Sequence, residues 1–258
     1  MRISAMLSSL PLDFEQGLEQ LAGLGFSNVD VIAETERPLA HLEALASSNL
    51  VVTCVAIGRG FPEGISLDAD DVSVRREAVD LCQRHLNDAA LLGATHCYIV
   101  PGEDASPAGL AQYADACHSL ASYAQGRRLQ LCVEHFPGKS LPSVTATLDW
   151  LDRYHLTDVK LLLDVGHCLI SQESPTKAIA RSAQRLGYVH FDDNDGVGDL
   201  HWPLCTGRLH PRDIAKIIQA LRTIGYDSAV SLELHPENDD PVGALRSGKA
   251  LLEESCRP

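Results

Sequence analysis

Short apolar runs and amphipathic segments alternate along this chain from end to end, and that alternation constrains its fold more than any other feature. The strand-like runs are Arg2–Leu7, Asn28–Ala33, Leu50–Ile57, Thr95–Val100, Leu129–Glu134, Val159–Asp164, Gly187–His190 and Ala229–Glu233. Between them the patterns read as helices over Asp13–Leu24, Pro38–Ser47, Asp68–Leu92, Pro107–Gln125, Leu141–Tyr154, Glu173–Arg185 and His210–Ile224, and Pro241–Glu254 forms a closing one. Glycines at 25, 93 and 225 stop three of these helices.

Runs with no polar alternation read as strands covered on both faces, which is the habit of parallel sheets. Strict strand–helix alternation implies right-handed crossovers. Eight such units in 258 residues predict an α/β fold of one domain over residues 1–258, a single (β/α)8 TIM barrel. An open doubly wound sheet is the alternative. The turn Leu7-Ser8-Ser9-Leu10 lacks glycine, so the dinucleotide fingerprint is absent. No low-complexity segment or linker divides the chain.

The formal charge is −14 and the pI about 5.1. Proteins that track a phosphate backbone carry a basic face. Here the basic clusters are only Arg75-Arg76 and Arg127-Arg128, which argues against nucleic acid as a partner. No leader pattern opens the chain, and no apolar run nears the ~18 residues of a membrane span. The eight cysteines form no C-x-x-C pair, and Cys54, Cys97 and Cys132 sit inside apolar strands as small hydrophobes. Reduced thiols and a cytoplasmic location are the expectation.

Four charged or imidazole side chains close four of the apolar runs: Glu134, Asp164, His190 and Glu233. The C-terminal ends of barrel strands are where such folds keep their chemistry. Three carboxylates and an imidazole on one rim repel each other and are costly to desolvate unless a cation sits among them. The expectation is therefore an enzyme with one divalent metal ion, held by three oxygen ligands and one nitrogen. A metal holding two adjacent oxygens of a hydroxyketone would polarise the carbonyl and acidify the neighbouring C–H. A carboxylate beside that carbon would then move the proton.

The texture around these positions reads Val133-Glu134-His135, Asp164-Val165-Gly166-His167, His190-Phe191-Asp192-Asp193 and Leu232-Glu233-Leu234. In this order on eight alternating strands it resembles the xylose isomerase-like barrel superfamily of sugar-phosphate isomerases and epimerases. The resemblance implies Glu134, Asp164, His190 and Glu233 as ligands of one Mn, Co, Mg or Zn ion. It also implies Glu134 and Glu233 as the proton-transferring pair of an isomerase or epimerase working through a metal-stabilised enediolate. His167 matches a D-x-x-H histidine that contacts substrate, and Glu34 a substrate-side position at the end of the second strand. The implied partner is a small polyhydroxy or keto compound, and relatives often form dimers or tetramers.

The longest irregular stretch, Asp192–Leu209, follows the seventh strand. Asp199 and His201 stand at a metal-ligand spacing and resemble the Asp-x-His of apurinic-site endonucleases in the same superfamily. Those enzymes need further histidines after the third and fourth strands, where this chain has Gly58-Arg59 and Pro101-Gly102. Asp199 and His201 are therefore read as binding substrate hydroxyls or ordering the loop, with Trp202 as an apolar wall. Leu204-Cys205-Thr206-Gly207-Arg208-Leu209 resembles a family turn with Cys205 in place of Gly, and Arg208 is a candidate substrate contact. Strand alternation turns His135 away from Glu134, a structural role, and leaves His235 open. A dehydratase of inosose or dehydroshikimate type, which shares the enolate step, is the second functional reading. An endonuclease is the third.

Overall fold

The computed structural model describes residues 1–257. Eight parallel strands form one sheet: β1 (Arg2–Ala5), β2 (Asn28–Ile32), β3 (Val51–Ala56), β4 (His96–Ile99), β5 (Gln130–Glu134), β6 (Lys160–Asp164), β7 (Leu186–Phe191) and β8 (Ala229–Leu232). The order is β1-β8-β7-β6-β5-β4-β3-β2, and a parallel bridge from Met6 to Asp30 brings β1 to β2, so the sheet curls into a nearly closed barrel. The expected (β/α)8 architecture is the one found. No helix among the described residues is long and apolar enough to cross a membrane.

The helices are α1 (Phe14–Gly23), α2 (Leu39–Ser48), α3 (Val72–Leu91), α4 (Pro107–Gln125), α5 (Val144–Arg153), α6 (Val165–Ile170), α7 (Pro175–Ser182), α8 (Pro211–Thr223) and α9 (Pro241–Ser255). Side-chain caps start several of them: Asp13 accepts from the Gln16 N–H, Ser143 from Ala146 and Asp240 from Gly243. One expectation is corrected. Of the expected helix Glu173–Arg185, α7 covers Pro175–Ser182: Glu173 lies before it and accepts the N–H groups of Val144 and Thr145 at 2.7 and 3.0 Å, capping α5, and Ala183 at φ 34° ends it before a 3-10 turn over Ala183–Arg185. A further short helix, α6, not expected from the sequence, lies directly on the end of β6. Six residues are too few to show a helical period in the sequence.

Side chains two apart on a strand share a face. Inside the barrel this places Met6, Cys54, Ala56, Tyr98, Cys132, Leu162, Tyr188 and Ala229 in one buried cluster, with a second, larger core between sheet and helices. Cys54 and Cys132 act there as small apolar fillers. The alternation then carries Cys132 to Glu134, Leu162 to Asp164, Tyr188 to His190 and Ser231 to Glu233, one layer higher. That layer is the C-terminal mouth. A polar knot lies lower in the barrel: buried Asp30 accepts from Ser4, Thr53 and Tyr188 hydroxyls and from the Cys54 N–H.

Candidate active site

Glu134, Asp164, His190 and Glu233 meet at the mouth, each offering a ligand atom within 4.8 Å of the others. Glu134, Asp164 and His190 are buried, and Glu233 keeps some exposure. Their hydrogen bonding is deficient: Glu134 Oε2, Asp164 Oδ2 and both His190 ring nitrogens have no hydrogen-bond partner among the described residues. Buried polar atoms are almost always satisfied, so orphaned atoms on three neighbouring side chains of one cluster call for a missing partner. Glu233 Oε2 lies 2.6 Å from His190 Nδ1 but is not aligned as a hydrogen bond, as suits two ligands sharing one cation. Three carboxylates and one imidazole fit a divalent ion with borderline-hard preference.

Asp164 does two jobs. Its Oδ1 caps α6 by accepting the His167 N–H at 2.7 Å, which leaves Oδ2 free for the cluster. The short helix thereby sets His167 beside the cluster. His167 Nδ1 donates to the His135 carbonyl at 2.9 Å and stands 3.6 Å from Glu134. His135 is structural, as expected: its Nε2 accepts the Asp164 N–H at 3.2 Å, and burial pushes its pKa down to about 3, which keeps it neutral.

The long loop brings a second set of groups to the same mouth. Asp199 Oδ1 lies 3.1 Å from His167 Nε2 and 3.0 Å from His201 Nε2, bridging the two rings. Burial opposes charge on all three groups, but Asp164 and Asp199 override it at His167, Asp199 and Asp192 at His201, and the two rings at Asp199. His167 is held up at about 10, His201 at about 12, and the Asp199 carboxyl well below its usual range. His201 Nδ1 donates to the Glu233 carbonyl at 3.1 Å, and the His235 N–H donates to the His201 carbonyl at 2.9 Å. Asp193 clasps the far end of the loop, accepting from the N–H groups of Gly207, Arg208 and Leu209.

The remaining candidates lie elsewhere. The Glu34 carboxylate is turned to Arg37 and His41, at 2.8 and 2.9 Å, and not to the cluster. Arg208 reaches the Asp195 carbonyl at 3.5 Å along the loop. His235 is exposed and accepts the Glu237 N–H at 3.2 Å, a turn cap. Three residues at the mouth escaped sequence reasoning. Asp192 joins Asp164 and His201 in an overlapping group of ligand type, and strand alternation from His190 was the available signal. Arg59 Nη2 bonds the Tyr98 hydroxyl at 3.2 Å, and Tyr98 meets the His190 ring edge-on at 5.1 Å. No spacing in the sequence marks either.

Among known proteins, a D-psicose 3-epimerase of Agrobacterium fabrum is 25% identical over 248 residues, covering 88% of this chain and 81% of that protein. An inosose dehydratase of Serratia proteamaculans is 32% identical over 83 residues, 31% of this chain and 28% of that protein. In structure, a D-allulose 3-epimerase from Methylomonas sp. superposes with a TM-score of 0.84 at 17% identity, covering 99% of this chain and 98% of that one. A family profile described as a xylose isomerase-like TIM barrel matches residues 18–255. A match over that much of a barrel with this topology makes the chain a member of the xylose isomerase-like TIM barrel family.

Proposed function

We propose that the protein is a divalent-metal-dependent sugar epimerase acting at the carbon beside the carbonyl of a ketose. The observation that supports it best is the placement of two carboxylates, Glu134 on β5 and Glu233 after β8, at one mouth with Asp164 and His190. Strands β5 and β8 lie three positions apart in the ring, so the two carboxylates approach a bound ketose from different sides. One carboxylate takes the proton from the carbon, and the other delivers a proton to the opposite face. The C–H bond is broken and remade, and no electrons are gained or lost. When bound, a divalent cation (Mn, Co, Mg or Zn) supplies Lewis acidity to the substrate oxygens. His167, Asp199 and His201 offer donors and an acceptor to the sugar hydroxyls.

The barrel relatives named as 3-epimerases support carbon 3 of a ketose as the position. The partial match to an inosose dehydratase favours a second reading, in which the same proton abstraction is followed by loss of a β-hydroxyl as water. Incubating Mn-loaded protein with ketoses in deuterated water, followed by NMR, separates them. Deuterium at one carbon together with a new epimer is the expected result. A dehydrated product would transfer the assignment to the lyase. No exchange with any ketose and no bound metal would overturn both.

A further inference from the structure

The strand alternation that carries four side chains up to the mouth also runs down to the opposite end of the barrel. One layer below Ser4, Tyr98, Cys132 and Leu162 it turns Arg2, His96, Gln130 and Lys160 inward, at the first residues of β1, β4, β5 and β6. Barrel interiors are ordinarily filled by bulky apolar side chains. Here the basal layer is polar and surrounds a hollow of about 470 Å³, lined by these four residues together with Gly187 and Asp227. That volume lies within the ~300–1,000 Å³ of small-molecule sites. Gly187 keeps the passage open: a β-carbon on it would lie 2.5 Å from Cys132 Sγ and 2.6 Å from Lys160 Cβ. The buried cluster of Met6, Tyr98, Leu162 and Tyr188 fills the barrel between this hollow and the mouth, so the two are separate.

Two cations face the hollow, and neither Arg2 nor Lys160 forms an ion pair with a carboxylate among the described residues. Lys160 donates to the Gln184 carbonyl, which leaves two of its three N–H groups without a protein acceptor. The exposed Arg2 guanidinium donates to nothing among the described residues. Neighbouring polar groups do not occupy them. Gln130 Nε2 is committed to the Leu131 and Asp158 carbonyls at 3.0 and 2.8 Å, and His96 Nδ1 stands 2.9 Å from the Thr95 hydroxyl. Asp227 is the one carboxylate side chain at the hollow. Two cations against one carboxylate is a positive balance, on a chain whose 21 Lys and Arg are outnumbered by 35 Asp and Glu. Like charges around one cavity repel, and an anion between them relieves the repulsion. A planar guanidinium with free donors suits bidentate binding of a carboxylate or phosphate, and an ammonium adds a point charge.

We propose that this basal hollow is a second ligand site, which binds a small phosphate ester or dicarboxylate through Arg2 and Lys160. The test is calorimetry on Mn-loaded protein at constant ionic strength, with glycerol 3-phosphate, succinate and neutral glycerol as probes. Each is titrated into wild type, Arg2→Gln, Lys160→Gln, Asp227→Asn and the mouth variant Glu134→Gln. NMR of the His96 ring protons, with and without each probe, locates the bound anion independently of any substitution.

One equivalent of one anion should bind per chain, and glycerol should not bind. Each partly exposed charge pair accounts for about threefold in Kd, so Arg2→Gln and Lys160→Gln should each weaken binding by about that factor or more. Asp227→Asn removes the opposing charge and should tighten it by a similar factor, which a merely structural role for these side chains would not produce. Glu134→Gln should leave Kd within about twofold, and the His96 signals should shift as the anion is added. The anion that binds more tightly, phosphate ester or dicarboxylate, names the source. Absence of saturable binding would overturn the proposal. So would binding that Glu134→Gln abolishes while both cation variants and the His96 signals stay unchanged, because the anion would then sit at the mouth.

Discussion

Gly166 stands so close to Asp192 that a β-carbon on it would lie 2.2 Å from Asp192 Oδ1. The Gly166 N–H donates to that same oxygen at 2.8 Å. The contact ties the start of α6, between Asp164 and His167, to the strand end that carries His190. Gly166→Ala must push the two apart, and overpacking of this kind costs about 1–3 kcal/mol. Tm and metal affinity should fall together, read by calorimetry and a metal titration. A variant equal to wild type in both would show that the contact does not constrain the mouth.

His190 contributes two ring nitrogens with no hydrogen-bond partner in the described structure. Removing the ring takes away the only nitrogen among the four proposed ligands. Loss of an outer partner of a metal ligand typically costs 10–100-fold in affinity, so His190→Ala should lose more than about 100-fold. Because no internal hydrogen bond is broken, the fold should persist. Elemental analysis of dialysed protein and far-UV circular dichroism check the two halves of this expectation. One bound ion per chain surviving in His190→Ala would remove it from the ligand set.

Glu134 and Glu233 should be separable by isotope. Glutamine keeps the shape of each side chain but cannot carry the proton. Loss of a positioned acid or base costs about 10²–10⁴-fold in rate. Both Glu134→Gln and Glu233→Gln should fall within that range for epimerisation. Starting from each epimer in turn, one variant should retain solvent exchange at the carbon without inversion while the other loses it. Equal, full epimerisation in either variant would remove that carboxylate from proton transfer.

Much of this site was legible because each of Glu134, Asp164, His190 and Glu233 ends an apolar run, and strand alternation fixes which way a run's last residue faces. Asp192 was hidden by its neighbour. Asp192-Asp193 looks like the start of a solvated loop, yet both are fully buried, one facing the mouth and the other clasping the loop. Arg59 was hidden because its position depends on the backbone of Gly58 and Gly60, not on any periodicity. Glu34 shows the opposite failure. It follows a strand end as the four cluster residues do, but Arg37 three residues on captures its carboxylate. α6 was missed because its cap, Asp164, reads equally well as the end of a strand.

Cys205 occupies a left-handed turn at φ 67°, in the position where the family turn it resembles has glycine. That conformation costs a side-chain-bearing residue about 1–2 kcal/mol, against about 0.5–1 kcal/mol of extra chain entropy lost by a glycine. Cys205→Gly should therefore be neutral to stabilising by up to ~1 kcal/mol. Chemical denaturation with an unchanged slope is the measurement. A loss of stability would mean that the packing of the half-buried thiol outweighs the strain.

His96 predicts how stability follows pH at the opposite end of the barrel from the mouth. Its ring lies 5.4 Å from Tyr188, and Nδ1 is 2.9 Å from the Thr95 hydroxyl. Burial first and the Arg2 charge second lower its pKa to about 4, with Asp227 opposing. The unfolded chain takes up this proton near pH 6.5, the folded chain only near pH 4. The contribution is thus complete above about pH 6.5 and is lost as pH falls toward 4, because protons then favour the unfolded state. Tm should drop across that interval, with a slope from this residue of at most ~1.4 kcal/mol per pH unit. His96→Gln should reduce the slope between pH 6.5 and 4, leaving the part that buried His135 contributes across the same interval and on down to about pH 3. A His96→Gln curve parallel to wild type through that interval would show that the ring does not resist protonation in the folded barrel.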